Sequence, residues 1–250
     1  MTRTPRETTI RTCGRVACAA GIALAASTAS PVRADAFDGL GTFSDEDFER
    51  LAENLGAGTH HRAVAPAEPL GLIGFDVAVE VTATDVENTL FERAGDGDDL
   101  DTLVVPRLHV QKGLPFGIDV GAMAAAVPGT DATLLGAELR YAVVEGGVAT
   151  PAVSLRASYS TLQGVDELEL DNYALEAGIS KGFLMFTPYA GAGYVWTRAE
   201  APEEAGLDEA SVGQGKLFAG VNVNLGVNVG LEVDRMDDFS TYSAKLGFRF

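Results

Sequence analysis

Histidine supplies most general bases and many metal ligands at neutral pH, and this chain has three, the pair His60-His61 and the single His109. The pair invites a metal reading, but no third ligand stands nearby at a suitable spacing. It reads as an exposed pair in a linker that also holds Pro66 and Pro69. His109 has Arg107 and Gln111 two positions away, where a catalytic base would want a Ser or an Asp, so it reads as one member of a hydrogen-bond network. Ser154, Ser158 and Ser160 read as the polar face of a strand. The run Asp96-Gly97-Asp98-Asp99-Leu100-Asp101 resembles a cation-binding turn, yet it lacks the spacing and the closing Glu of a calcium loop. Neither a metal nor a cofactor is expected, and no constellation supports an enzyme.

The remaining charged side chains become interpretable through the elements that carry them. From Leu72 to Thr84, Ile73, Phe75, Val77, Val79, Val81 and Ala83 alternate with Gly74, Asp76, Ala78, Glu80, Thr82 and Thr84. Period two with one apolar and one polar face is a strand between two different environments. The same alternation recurs over 102–112, 116–123, 135–143, 153–159, 173–179, 184–197, 217–225, 227–233 and 239–250, which makes about ten strands (range 8–12). Their polar faces gather Asp76, Glu80, Asp119, Glu138, Glu176, Glu232 and Asp234 against Arg107, Arg140, Arg156, Lys216, Lys245 and Arg249, with His109 beside them. Seven acids against six bases on one face suggest a charge network of ion pairs, because a charge taken out of water is costly unless paired. Glycines on the same face, Gly136, Gly191, Gly230 and Gly247 among them, either leave space or relieve curvature.

The last strand is the most explicit. Tyr242, Ala244, Leu246, Phe248 and Phe250 share one parity, and Thr241, Ser243, Lys245, Gly247 and Arg249 the other. A terminal strand of this kind resembles the assembly signal of bacterial outer-membrane β-barrels, carried here by Tyr242, Leu246, Phe248 and Phe250. The resemblance is to small barrels of the OmpA/OmpX/OmpW-like kind. It implies an all-β, antiparallel transmembrane barrel in the outer membrane of a Gram-negative cell envelope. It also implies contact with outer-membrane lipid and lipopolysaccharide, and recognition of the C-terminal strand by the barrel-assembly machinery. Tyr141, Tyr159, Tyr194, Trp196 and Tyr242 lie toward strand ends on the apolar parity, where a membrane girdle requires them. The acidic pairs with Asp-x-His of outer-membrane proteases, and the Ser with nearby His of outer-membrane lipid hydrolases, find no counterpart around His109.

The rest of the chain fits an exported protein. Residues 1–34 have the anatomy of a signal peptide: Arg3, Arg6, Arg11 and Arg15, an uncharged run from Val16 to Ser30, and Val32-Arg33-Ala34 as a cleavage site. Cys13 and Cys18 both lie inside it, so the mature chain has no thiol chemistry, and Cys18 lacks the leucine-led box of a lipid attachment site. Losing the signal removes five Arg and one Glu, which leaves 13 basic and 35 acidic residues and a net charge of −22. That excludes nucleic acid as a partner held by bulk charge. No mature stretch is apolar for long enough to cross a bilayer as a helix, so any crossing must use a closed sheet.

Residues 35–70 read as a periplasmic helix and linker ahead of a barrel at 71–250. Ser44 is the expected N-cap, Phe48, Leu51, Ala52 and Leu55 the apolar stripe, and Gly56 the stop. The acidic face argues against a membrane surface and leaves a periplasmic tether or a plug of the lumen. Between strands, tight links near 113–115, 145–147, 181–182 and 225–226 alternate with long acidic ones at 85–101, 162–171 and 199–211, although 128–131 and 236–238 are short. This matches the periplasmic and extracellular ends of such barrels, and an even strand number brings both termini to the periplasmic side. The function expected is that of a mostly side-chain-filled barrel with a structural or surface-interaction role. The alternative is a porin-like narrow channel or conduit for small or apolar solutes.

Overall fold

The computed structural model describes residues 37–95, 101–127, 132–165 and 167–250. The expected signal peptide, the acidic turn apart from Asp101, and the link 128–131 lie outside the described residues. Ten antiparallel strands follow in order: β1 (Phe75–Asp85), β2 (Thr102–Gly113), β3 (Ile118–Ala126), β4 (Thr133–Val144), β5 (Ala152–Gln163), β6 (Glu169–Ser180), β7 (Phe186–Glu200), β8 (Ala210–Asn224), β9 (Asn228–Met236) and β10 (Phe239–Arg249). Each pairs with its neighbours in sequence, and β1 pairs with β10, so the sheet closes into a barrel without an edge. At the seam Asp76 stands opposite Arg249 and Glu80 opposite Lys245, while Phe75 and Phe250 exchange both backbone hydrogen bonds.

The ten strands expected from period two are all present. One parity is buried, polar over most of the lumen and apolar near the long links; the other is exposed and largely apolar. Leu108, Leu139, Leu155, Leu175, Leu217, Leu231 and Leu246, from seven different strands, are each 47–65% exposed on the outside. Strand β8 begins at Ala210, well before Leu217, because its early outward positions are the small Ser211, Gly213 and Gly215, which carry no apolar signal. A Cβ on Gly213 would stand 2.6 Å from the Tyr194 hydroxyl, so the ring on β7 occupies that ground.

Two helices accompany the barrel, α1 (Asp45–Thr59) and α2 (Asn88–Ala94), the second within the link from β1 to β2. The links after β2, β4, β6 and β8 share one end of the barrel, the short-turn end, with Phe75 and Phe250; the long links after β1, β5 and β7 share the other with the two-residue turn Asp237-Asp238. The expectation of a periplasmic helix goes with the short-turn end, whereas α1 sits in the opposite mouth, against the links that hold Glu87, Arg93 and Asp208. From there the chain runs back down the lumen to reach β1. An even number of strands does bring Phe75 and Phe250 to one end, but the extra passage through the lumen leaves Phe37 at the other.

Candidate functional site in the barrel lumen

The lumen is occupied by the chain's own N-terminal segment. Ser44 caps α1 by accepting from the Asp47 N–H at 3.2 Å. Below the cap Phe48, Leu51, Ala52 and Leu55 are buried against Leu103, Val105, Leu134, Leu162, Leu170 and Ala199 of the barrel wall. This apolar layer closes the long-link mouth. The helix does not stop at Gly56 but continues to Thr59, and His60 N–H then donates to the Gly56 carbonyl at 3.1 Å. Gly56 serves close approach instead: a Cβ there would lie 2.2 Å from Thr197 Oγ1. Thr59 ends the helix among Ser160, Asn172 and Thr197, since Ser160 donates to its carbonyl at 3.2 Å and Asn172 to its hydroxyl at 3.0 Å.

Residues 60–67 are buried throughout, so His60 and His61 are not an exposed linker pair. A stretch with no strand partner has backbone carbonyls that must be satisfied otherwise. The wall supplies cations. Arg107 donates to the His60 and Gly58 carbonyls at 2.9 and 2.7 Å, Lys245 to Ala63 at 3.3 Å, Arg140 to Pro66 at 2.7 Å and Arg249 to Glu68 at 3.1 Å. The space comes from small residues on the wall. A Cβ on Gly136 would meet His61 Nδ1 at 3.0 Å, and one on Gly230 would meet Val64 at 3.0 Å. Gly191 and Gly247 have another role, because a Cβ on either would strike a neighbouring strand's carbonyl at 2.3–2.4 Å, the mark of a tightly curved sheet. Space and curvature are thus served by different glycines.

Around the segment the charged side chains pair. Arg140 holds Asp119 at 2.6 Å, Arg156 bridges Glu138 at 3.1 Å and Glu176 at 3.0 Å, Lys216 holds Glu176 at 2.8 Å, and Lys245 holds Asp76 at 3.2 Å. Arg62 of the segment takes Asp234 at 2.9 Å, with both side chains fully enclosed. Glu232 is buried on the same strand, and Arg249 is half-buried at the short-turn mouth. Arg62 makes seven bases against the seven wall carboxylates. Sequence reading missed it. An arginine between a histidine pair and an Ala-Val-Ala run resembles any linker residue, and its partner is 172 positions away.

His61, Glu138, His109 and Glu80 form a string: His61 Nε2 is 3.2 Å from Glu138, the two imidazoles are 5.1 Å apart, and His109 Nε2 is 3.7 Å from Glu80. Gln111 also donates to Glu138, at 2.6 Å. Among the described residues no group of three or more His, Cys, Asp or Glu is arranged to hold a metal ion. Ser154 and Ser160 are buried on the inner face, and the Ser160 hydroxyl is committed to Thr59. What this interior can do chemically is hold a segment of chain. The gap left beside it, lined by Ala65, Ala67, Arg156, Glu176, Tyr189 and Phe218, is about the size of one water molecule.

On the outer face Tyr159, Tyr194, Trp196 and Tyr242, joined by Tyr173, lie toward the long-link end, with Tyr159 and Tyr173 rings 5.1 Å apart and Tyr194 and Trp196 rings 4.9 Å apart. Tyr141 lies toward the short-turn end, where it is accompanied by Phe116, Phe183, Phe186, Phe248 and Phe250. Tyr242, Leu246, Phe248 and Phe250 all project outward from β10.

The chain matches no protein-family model and no curated protein. Solved structures similar to it include the KdgM porin in complex with disordered oligogalacturonate (10% identity, TM-score 0.37, 70% of this chain and 99% of that one). The N-terminal β-barrel domain of Pseudomonas aeruginosa OprF is another (10%, 0.35, 72% and 99%), as is Ail, the attachment invasion locus protein of Yersinia pestis (13%, 0.25, 72% and 99%).

Proposed function

We propose that this chain is an outer-membrane β-barrel whose lumen is closed by its own N-terminal segment, and that its role is structural or one of surface interaction. The observation that carries the reading is the complete burial of residues 60–67 inside a ring whose outer face is apolar. An exposed belt of leucines between aromatic ends is costly in water and is solvated by hydrocarbon chains in a bilayer. The buried segment and the ion pairs around it fill the interior against solute passage on this reading. Export by the signal peptide, assembly through the C-terminal strand and lipopolysaccharide at the long-link end belong to the same reading. No catalytic role is assigned. The narrow conduit would require the segment to leave.

Two measurements on the refolded mature chain test this. A detergent-solubilised, heat-modifiable species is expected, and a monodisperse protein in plain buffer would defeat the membrane reading. In planar bilayers the intact chain should give no steady openings. Reproducible conductance would instead favour the conduit.

A further inference from the structure

We propose that the chain carries its own N-terminal end across the membrane, so that Phe37 and Phe250 lie on opposite faces; this rests on the membrane reading above. The contacts of the segment fall in order along the barrel. At the short-turn mouth Leu70 N–H donates to Asp119 and Arg249 donates to the Glu68 carbonyl. In mid-lumen Ala63 is held by Lys245 and His61 by Glu138. Higher, Arg62 also donates to Thr241, two residues past the start of β10 on the long-link side, at 3.0 Å. Above the mouth, Asp47 meets Arg93 at 3.0 Å, the Thr42 carbonyl accepts from Arg93 at 3.3 Å, and Asp208 N–H donates to Asp45 at 3.2 Å.

The lengths agree with a full crossing. The eleven residues from His60 to Leu70 reach at most about 33 Å at about 3.3 Å per step, enough for a hydrocarbon core of about 30 Å. The segment is therefore an eleventh passage inside a ring of ten, and an odd number of passages separates the two ends. Along β10 alone, Arg249, Lys245 and Thr241 meet Glu68, Ala63 and Arg62 in turn, from the short-turn mouth to the long-link side.

Cys13 and Cys18 leave with the signal peptide on the reading above, so each exported variant carries one cysteine, and replacing both with Ser in every variant keeps the labelling unambiguous. Three variants of the full chain, Gly41→Cys, Glu204→Cys and Val148→Cys, would be expressed in a Gram-negative host. Each would be treated with a membrane-impermeant maleimide before and after the outer membrane is permeabilised. Gly41 has open space around it, Glu204 is exposed in the link from β7 to β8, and Val148 is exposed in the turn from β4 to β5. Heat-modifiable migration checks that each has folded. Gly41→Cys should label in intact cells to the same extent as Glu204→Cys, with Val148→Cys reaching that extent only after permeabilisation. Labelling of Gly41→Cys in step with Val148→Cys overturns the proposal. If Val148→Cys labels first and Gly41→Cys still follows Glu204→Cys, the barrel is inverted relative to the function proposed above while the crossing stands. If Glu204→Cys and Val148→Cys label alike, no membrane separates the ends and both readings fall.

Discussion

Arg62, carried on a segment with no strand neighbour, grips Asp234 on β9 with two prongs, Nε to Oδ2 at 2.9 Å and Nη2 to Oδ1 at 3.3 Å. The same guanidinium donates to the Ala57 carbonyl at 2.5 Å and to Thr241 at 3.0 Å, so one side chain ties the end of α1 to two strands. Removing it strands a carboxylate away from water. Arg62→Met should cost about 3–5 kcal/mol of stability, and Arg62→Met with Asp234→Leu should recover much of that loss. Urea unfolding of the refolded protein in detergent reads both values. Equal destabilisation in the single and double variants would mean that the pairing is not what holds the segment.

Deleting residues 37–68 from the mature chain takes away the apolar stopper and one of seven luminal bases. Conductance in planar bilayers is then expected where the intact chain gives none. A deleted barrel that refolds and stays silent would show that wall side chains alone fill the interior.

A clasp outside the barrel should respond to acid. Arg93 hydrogen-bonds Asp47 and holds its carboxyl below the usual value against an opposing desolvation, with the Ser44 hydroxyl adding a lesser downward effect. A depressed carboxylate contributes stability at neutral pH, and that contribution is lost as pH falls through the carboxylate range. Between pH 6 and about pH 3 the contact of α1 with α2 should loosen, seen as lower protection of the Asn88–Ala94 amides once exchange rates are corrected for their intrinsic pH dependence. In Asp47→Asn the corrected protection should be low at both pH values.

The join of α1 to the wall leaves no room at Gly56. Gly56→Ala sets a methyl group 2.2 Å from Thr197 Oγ1, an oxygen already donating to Asn172 at 2.8 Å. The expected cost is about 1–3 kcal/mol, despite alanine's better helix propensity. Gly41→Ala, with open space around it, serves as the control and should be neutral in the same melt.

What could be read in the sequence follows from where each contact originates. Strand alternation is local: Val79 and Glu80 face different media, and each announces its face through its own chemistry. The ten strands are legible for that reason. The N-terminal segment is different. Ala63, Ala65 and Ala67 are buried in the lumen, yet small residues beside prolines are also what a loose linker contains. His61 and Arg62 find their partners 77 and 172 positions away, and nothing nearby foretells either. Gly56 misleads for the same reason, since tight packing against Thr197 and a helix stop call for the same residue.

The seam between β1 and β10 joins groups as distant as Asp76 and Lys245, 169 positions apart, so ring closure brings together the two ends of the barrel sequence. A folded helix about 10–12 Å across does not slide through a lumen lined by side chains, so α1 passes either before the ring shuts or as unfolded chain. On the crossing proposed above, assembly sets passage of the N-terminal segment against closure of the β1–β10 seam.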